Sequence, residues 1–169
     1  MSICEITTQM IAQSGGNLAD INHFLKVYAF AKTIGEAEQL DADTQAVLEA
    51  AAILHDIACP LCREKYGSTQ GKYQEAEGQI LAAAFLKELG YPKNFVSRVA
   101  FLVGRHHTFT NVSGSDYQIL LEADYLVNAG EHGYSRENIA NTLQKVFRTE
   151  TGSSLLRAMY LFPEQSGQK

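Results

Sequence analysis

Apolar residues recur along this chain at intervals of three and four, the spacing of one face of a helix. Ile3, Ile6 and Met10 predict a short first helix that stops at Gly15-Gly16. Phe24, Val27, Ala31 and Ile34 form the stripe of a second, from about residue 20 to 34. Val47, Leu48, Ala51, Ala52 and Leu54 mark a third, with Asp43 as its expected N-cap and Pro60 as its terminator. Residues 60–74, PLCREKYGSTQGKYQ, carry no apolar period and read as one long polar loop. A fourth helix then runs to Leu89, closed by Gly90 and Pro92, and a fifth aligns Val96, Val99 and Val103. A sixth spans about 116–128, and Ser135 caps a seventh containing Ile139, Leu143 and Val146. A last short helix covers about 153–161. With no sustained strand alternation, the expected fold class is all-α, a single bundle of seven to eight helices. Residues 1–169 form one domain in this reading, with a core over about 18–130 and C-terminal helices over 135–162.

Composition narrows the partners. A chain of 169 residues can bury one sizeable core. The balance of 14 basic and 19 acidic residues, a net charge of −5, provides no basic footprint, so no nucleic-acid polymer is expected. A small phosphorylated ligand is compatible with that balance, because two or three local cations suffice to hold it. No run approaches the roughly 20 apolar residues of a membrane span, so neither anchor nor membrane partner is expected. Three cysteines do not make a disulfide framework, and a reducing cytoplasm is the expected compartment. Cys59 and Cys62 form a C-x-x-C, but no second pair accompanies it, and it reads as incidental.

Chemistry enters where the apolar pattern is broken from inside. The run AAILHDIACP, residues 51–60, carries a core helix straight into His55-Asp56. An ionised carboxylate buried without a partner is costly, and such groups pair or bind metal. Four of the five histidines fall where a helix points inward. His23 borders the second stripe, His55 follows Ala51 and Ala52, and His106 follows Val99 and Val103 with His107 beside it. Asp124 shares a face with Tyr117, Leu120 and Val127. Taken singly, an inward histidine is usually a core residue and an inward aspartate a cap or ion-pair member. Together, with no interior Lys or Arg to neutralise them, they favour a divalent cation.

His23, then His55-Asp56, then Asp124 resemble the H…HD…D signature of the HD-domain metal-dependent phosphohydrolases, over roughly residues 18–130. NHFLKVYAFA is similar to that family's first ligand helix, and LHDI after an Ala-rich run to its second. The resemblance implies an all-α HD-type fold with His23, His55, Asp56 and Asp124 as ligands of a first divalent ion. It implies Asp56 as the bridge where there are two. Members with two metals add a histidine four residues before a Gly, where this chain has Gln74 ahead of Gly78. His106 and His107 stand where the remaining second-metal histidines would be. With mixed nitrogen and oxygen donors, Fe, Mn, Zn, Ni and Co all fit.

The activity so implied is hydrolysis of a phosphate ester of a nucleotide or related small metabolite by metal-activated water. Lys26, Arg63, Lys72 and Arg105, with Lys65, are the candidate cations for substrate, and Asp56, Lys26 and Glu77 the candidate catalytic groups. Glu75 and Glu77 are each read as ligand or base, or as ordinary first-turn charges. Tyr125 and Tyr28 are candidates for stacking on a base. A homodimer is an open assembly, and two other functions stay open: an HD-fold mixed-valent di-iron oxygenase and a non-catalytic nucleotide-sensing module.

Overall fold

The computed structural model describes residues 2–162, so Met1 and residues 163–169 of the expected domain lie outside it. Among the described residues there are nine α-helices, a short π-helical turn and no strand. They are α1 (Ile3–Gln13), α2 (Leu18–Ala37), α3 (Ala42–Leu54), α4 (Cys59–Tyr66) and α5 (Gly71–Glu88). They continue as α6 (Lys93–Val103), α7 (Ser115–Glu131), α8 (Arg136–Lys145), α9 (Glu150–Leu156) and the π-turn Arg157–Leu161. The all-α expectation holds.

Most starts are capped by a side chain. Ser2, Asn17, Ser135 and Thr149 each accept from backbone N–H groups of the first turn that have no helical partner. For α3 the cap is Asp41, which accepts from the N–H groups of Asp43 and Thr44, and not the expected Asp43. The larger correction is at 60–74. Pro60 does not leave a long loop behind it but sits in the first turn of α4, where its missing N–H and fixed φ cost nothing. Gly67, at φ +60°, ends α4, and α5 begins at Gly71.

The hub of the bundle is α3, which packs against α1, α2, α6 and α7. Every residue from Val47 to Leu54 is buried. The Ala50-Ala51-Ala52 run keeps side-chain volume small where neighbouring helices converge. The stretch Ala42–Tyr66 meets the length and apolarity of a membrane span, contrary to expectation; here it is broken into α3 and α4 and lies mostly inside the bundle. Polar contacts hold α7 in place. Arg98 of α6 donates to Asp116 at 2.6 and 2.8 Å. The buried Glu122 accepts from Gln118 and from the backbone N–H groups of Arg148 and Thr149. At Gly78, α5 comes so close to α6 that a Cβ would lie 3.0 Å from Val103.

Two substitutions test this packing by thermal or denaturant unfolding. Leu48→Ala, at the fully buried centre of α3, should cost about 2–5 kcal/mol through the cavity it leaves. Gly78→Val should cost about 1–3 kcal/mol by overpacking the α5–α6 contact.

Candidate metal centre

Each ligand-type residue sits where its helix delivers it. His23 is on the buried face of α2, His55 caps the C-terminus of α3, and Asp56 follows in the turn that leads to α4. Asp124 lies on the inner face of α7, and His106 and His107 follow the end of α6. The Nε2 atoms of His23 and His55 are 3.1 Å apart. Asp124 Oδ1 is 3.2 Å from the first and 3.6 Å from the second, and Asp56 Oδ2 is 3.6 Å from both. Four donors at about 2.1 Å from one ion stand about 3.4 Å apart in a tetrahedral arrangement, so these spacings match a shared cation.

The other ring nitrogens fix the tautomers. His55 Nδ1 donates to Ala52 O at 2.8 Å, and His106 Nδ1 donates to Val103 O at 2.7 Å. Both use the carbonyl three residues back, one of those a helix C-terminus leaves unpaired. His23 Nδ1 donates to Glu131 Oε2 at 2.8 Å, and Glu131 in turn accepts from Lys26 at 3.0 Å. Each Nε2 therefore offers a lone pair inward, the arrangement of a metal-bound imidazole oriented by its outer hydrogen bond. His106 Nε2 is buried without a hydrogen-bond partner, its nearest carboxylate oxygen being Asp56 Oδ1 at 3.5 Å. A buried lone pair facing a carboxylate fits a cation between them.

Asp56 thus faces two groups, His23 with His55 through one oxygen and His106 through the other. Ligand atoms of Asp56, His106 and His107 all lie within 4.8 Å of one another. Gln74 projects into this second group. Its amide donates to Thr69 O at 2.6 Å and its Oε1 lies 3.3 Å from His107 Nε2. Glu75 accepts from the N–H of His107 and the hydroxyl of Thr108, which fixes the loop after α6. Gly71 gives the His107 ring its room, since a Cβ there would come within 2.8 Å of it.

Burial works against charge on His23, yet Asp124, Asp56 and Glu131 outweigh it and push the imidazole up to about 9. Burial is likewise overcome at Asp56, where His55 and His106 hold the carboxyl well below its usual range. The same holds at Asp124, through His23 and His55. His107 goes the other way: burial and the neighbouring His106 push it down to about 4. Without a metal, a proton on His23 supplies the positive charge the carboxylates require. Metal and proton compete for one nitrogen.

A cavity of about 650 Å³ opens onto the cluster. Arg63 lines it, paired with Asp20 through Nη1 and Nη2 at 2.7 and 2.6 Å. Other expected residues are turned elsewhere. Glu77 accepts from Lys65 and Tyr66 on the surface and is not in the lining. Lys72 lies over the Tyr73 ring and Arg105 over Phe101, both outside the cavity. Lys26 serves Glu131 and does not line it, and Tyr28 is also outside. Cys59 lines the wall, but burial and the carboxylates of Asp56 and Asp20 push its thiol up, which leaves it unreactive. Glu131 and Asn128, whose amide donates to Asp124 at 2.8 Å, belong to the site without having been anticipated. Their spacing of seven and four from Asp124 on one helix was the available signal.

A family model described as HD domain matches residues 20–147. The chain belongs to the HD domain family. The fold is similar to the crystal structure of a predicted HD superfamily hydrolase from an uncultured Thermotogales bacterium, at 25% identity and a TM-score of 0.65. That likeness covers 95% of this chain and 84% of the other. No curated protein matches the chain. Family membership and the donor set together make this a chain with residues able to hold a divalent metal.

The sign of the pH dependence follows from His23. In the metal-free protein its raised pKa contributes stability that is complete below about pH 6.5 and lost as pH rises through 9. The melting temperature of chelator-treated protein should therefore fall by a few degrees over that window. Metal uptake at pH 7.5, followed by calorimetry in buffers of different ionisation heat, should release protons, since His23 and His106 both hold theirs more tightly than a free imidazole, and the number released should fall as pH rises through 9. Glu131→Gln should weaken metal affinity about 10- to 100-fold with the fold retained.

Proposed function

We propose that this HD-family protein is a metal-dependent phosphohydrolase that cleaves a phosphate ester of a nucleotide or related small metabolite. The observation that carries the reading is a cluster of imidazole Nε2 atoms and carboxylates whose His23, Asp56 and Asp124 line an open cavity, with His55 and His106 buried directly behind them. A buried structural metal would have no use for that opening. His23, His55, Asp56 and Asp124 would hold the ion, with His106 and His107 beside the second oxygen of Asp56. When bound, a divalent ion supplies Lewis acidity toward a phosphoryl oxygen and an acidified water near neutral pH.

The chain's own residues do the rest. Glu131 fixes the His23 ring, and Lys26 holds Glu131. Asn128 orients Asp124. Arg63 presents a guanidinium to the cavity, suited to phosphoryl oxygens once Asp20 shares it. Both α3 and α6 end at the cluster, so the negative ends of two helix dipoles favour the cation.

Elemental analysis of protein purified without chelator, paired with phosphate release from a panel of nucleotides and other phosphomonoesters, tests this. Wild type should carry at least one divalent ion per chain and release phosphate. Asp56→Ala should lose metal and lower turnover at least about a hundredfold. Unchanged metal and turnover in Asp56→Ala would sink the reading. A ratio of two ions that His106→Ala lowers to one assigns the second group, whereas two irons with oxygen uptake and no phosphate would identify an oxygenase.

A further inference from the structure

Resting on that reading, we propose that the centre serves substrates bearing a single phosphoryl group on an uncharged planar aromatic moiety. That moiety lies against Tyr125, Tyr134, Asn138 and Thr142. Two independent features of the cavity carry this, its charges and its far wall.

Four carboxylates line the cavity: Asp20, Asp56, Asp124 and Glu131. Among the described residues Arg63 is the one Lys or Arg in the lining, and Asp20 already engages both of its terminal nitrogens. A di- or triphosphate tail needs further cations along its length, as phosphoryl-transfer sites provide with Lys and Arg clamps. Here Asp56 and Asp124 belong to the metal residues and Glu131 to His23 and Lys26, so an added phosphate finds no cation in the lining beyond Arg63, which Asp20 already shares. One phosphoryl group at the metal residues uses the positive charge that the cavity can provide.

The wall built by the end of α7 and one face of α8 has a different character. Tyr125 and Tyr134 rings lie 5.6 Å apart at 47°, and His132 stacks near-parallel on Tyr134 at 6.0 Å. Asn138 and Thr142, one turn apart on α8, face the same space. Tyr125 donates its hydroxyl to Asn138 Oδ1 at 2.7 Å, which turns the amide so that its NH2 is free to donate to a ligand. Ring faces beside a fixed amide and a hydroxyl match a flat heteroaromatic group with acceptors on its edge. A nucleoside monophosphate is the class that combines both ends.

Kinetics and calorimetry with AMP, ATP and ribose 5-phosphate on metal-loaded protein test the proposal, with adenosine binding to chelator-treated protein as a metal-independent readout. AMP should exceed ATP at least about tenfold in both kcat/KM and affinity. Tyr134 is exposed, so Tyr134→Ala should keep the fold. It should raise the KM for AMP relative to ribose 5-phosphate about tenfold, mainly through KM, and weaken adenosine binding to a similar degree. Asn138→Ala gives a second reading of the same wall. ATP equal to or better than AMP, or a Tyr134→Ala effect equal on AMP and ribose 5-phosphate, would overturn the proposal. If no ester is turned over, the phosphohydrolase reading fails, while the AMP, ATP and adenosine affinities still decide this one.

Discussion

Two imidazole nitrogens and two carboxylate oxygens, separated by 3.1 to 3.6 Å inside an apolar bundle, cannot persist without positive charge between them. Much of the polar architecture is arranged around that constraint. A proton satisfies it in part, which is why His23 is held so basic. A divalent ion satisfies it fully, because it accepts all four lone pairs at once. The anchors that fix α7, through Asp116 and Glu122, keep Asp124 from retreating from the cluster.

The same local device is used twice. His55 and His106 each follow an apolar helix to its end and donate Nδ1–H to the carbonyl three residues earlier. The helix terminus thereby loses an unpaired acceptor, and the ring gains a fixed tautomer. His23 comes from mid-helix, where the carbonyls are already paired, and so requires Glu131 from another helix. That difference explains why two histidines are oriented by their own backbone and the third by a contact 108 residues away.

The parts legible in the sequence were those written in apolar periodicity. The stripe of α2, the Ala-rich α3, Ser135 as a cap and Asp124 on an inward face all follow from spacing. Helix α4 was missed because CPLCREKY is mostly polar with no apolar stripe, and Pro60 signals an end and a beginning equally. Lys72 and Arg105 are exposed and Glu77 half-buried, and which partner each takes, Tyr73, Phe101 or Lys65, depends on side-chain placement that the apolar pattern does not encode. Glu131 lies in the last turn of α7, two turns beyond Asp124, and its role depends on a tertiary contact with α2. Of the cavity's far wall only Tyr125 was anticipated: Tyr134 lies in the loop between α7 and α8, and the side chains facing it come from both.

Order along the chain gives the cluster a second meaning. His23 and Asp124 are about a hundred positions apart, and His55-Asp56 falls between them. An ion held by all four would close two consecutive loops, 23–55 and 56–124, that together span most of the bundle, and loop closure of that length removes more freedom from an unfolded chain than from a folded one. α2, α3 and α7 then become links of a closed ring and cannot separate without releasing the ion. The centre would in that sense be a clasp, and the stability of the bundle would become a function of how much metal surrounds it.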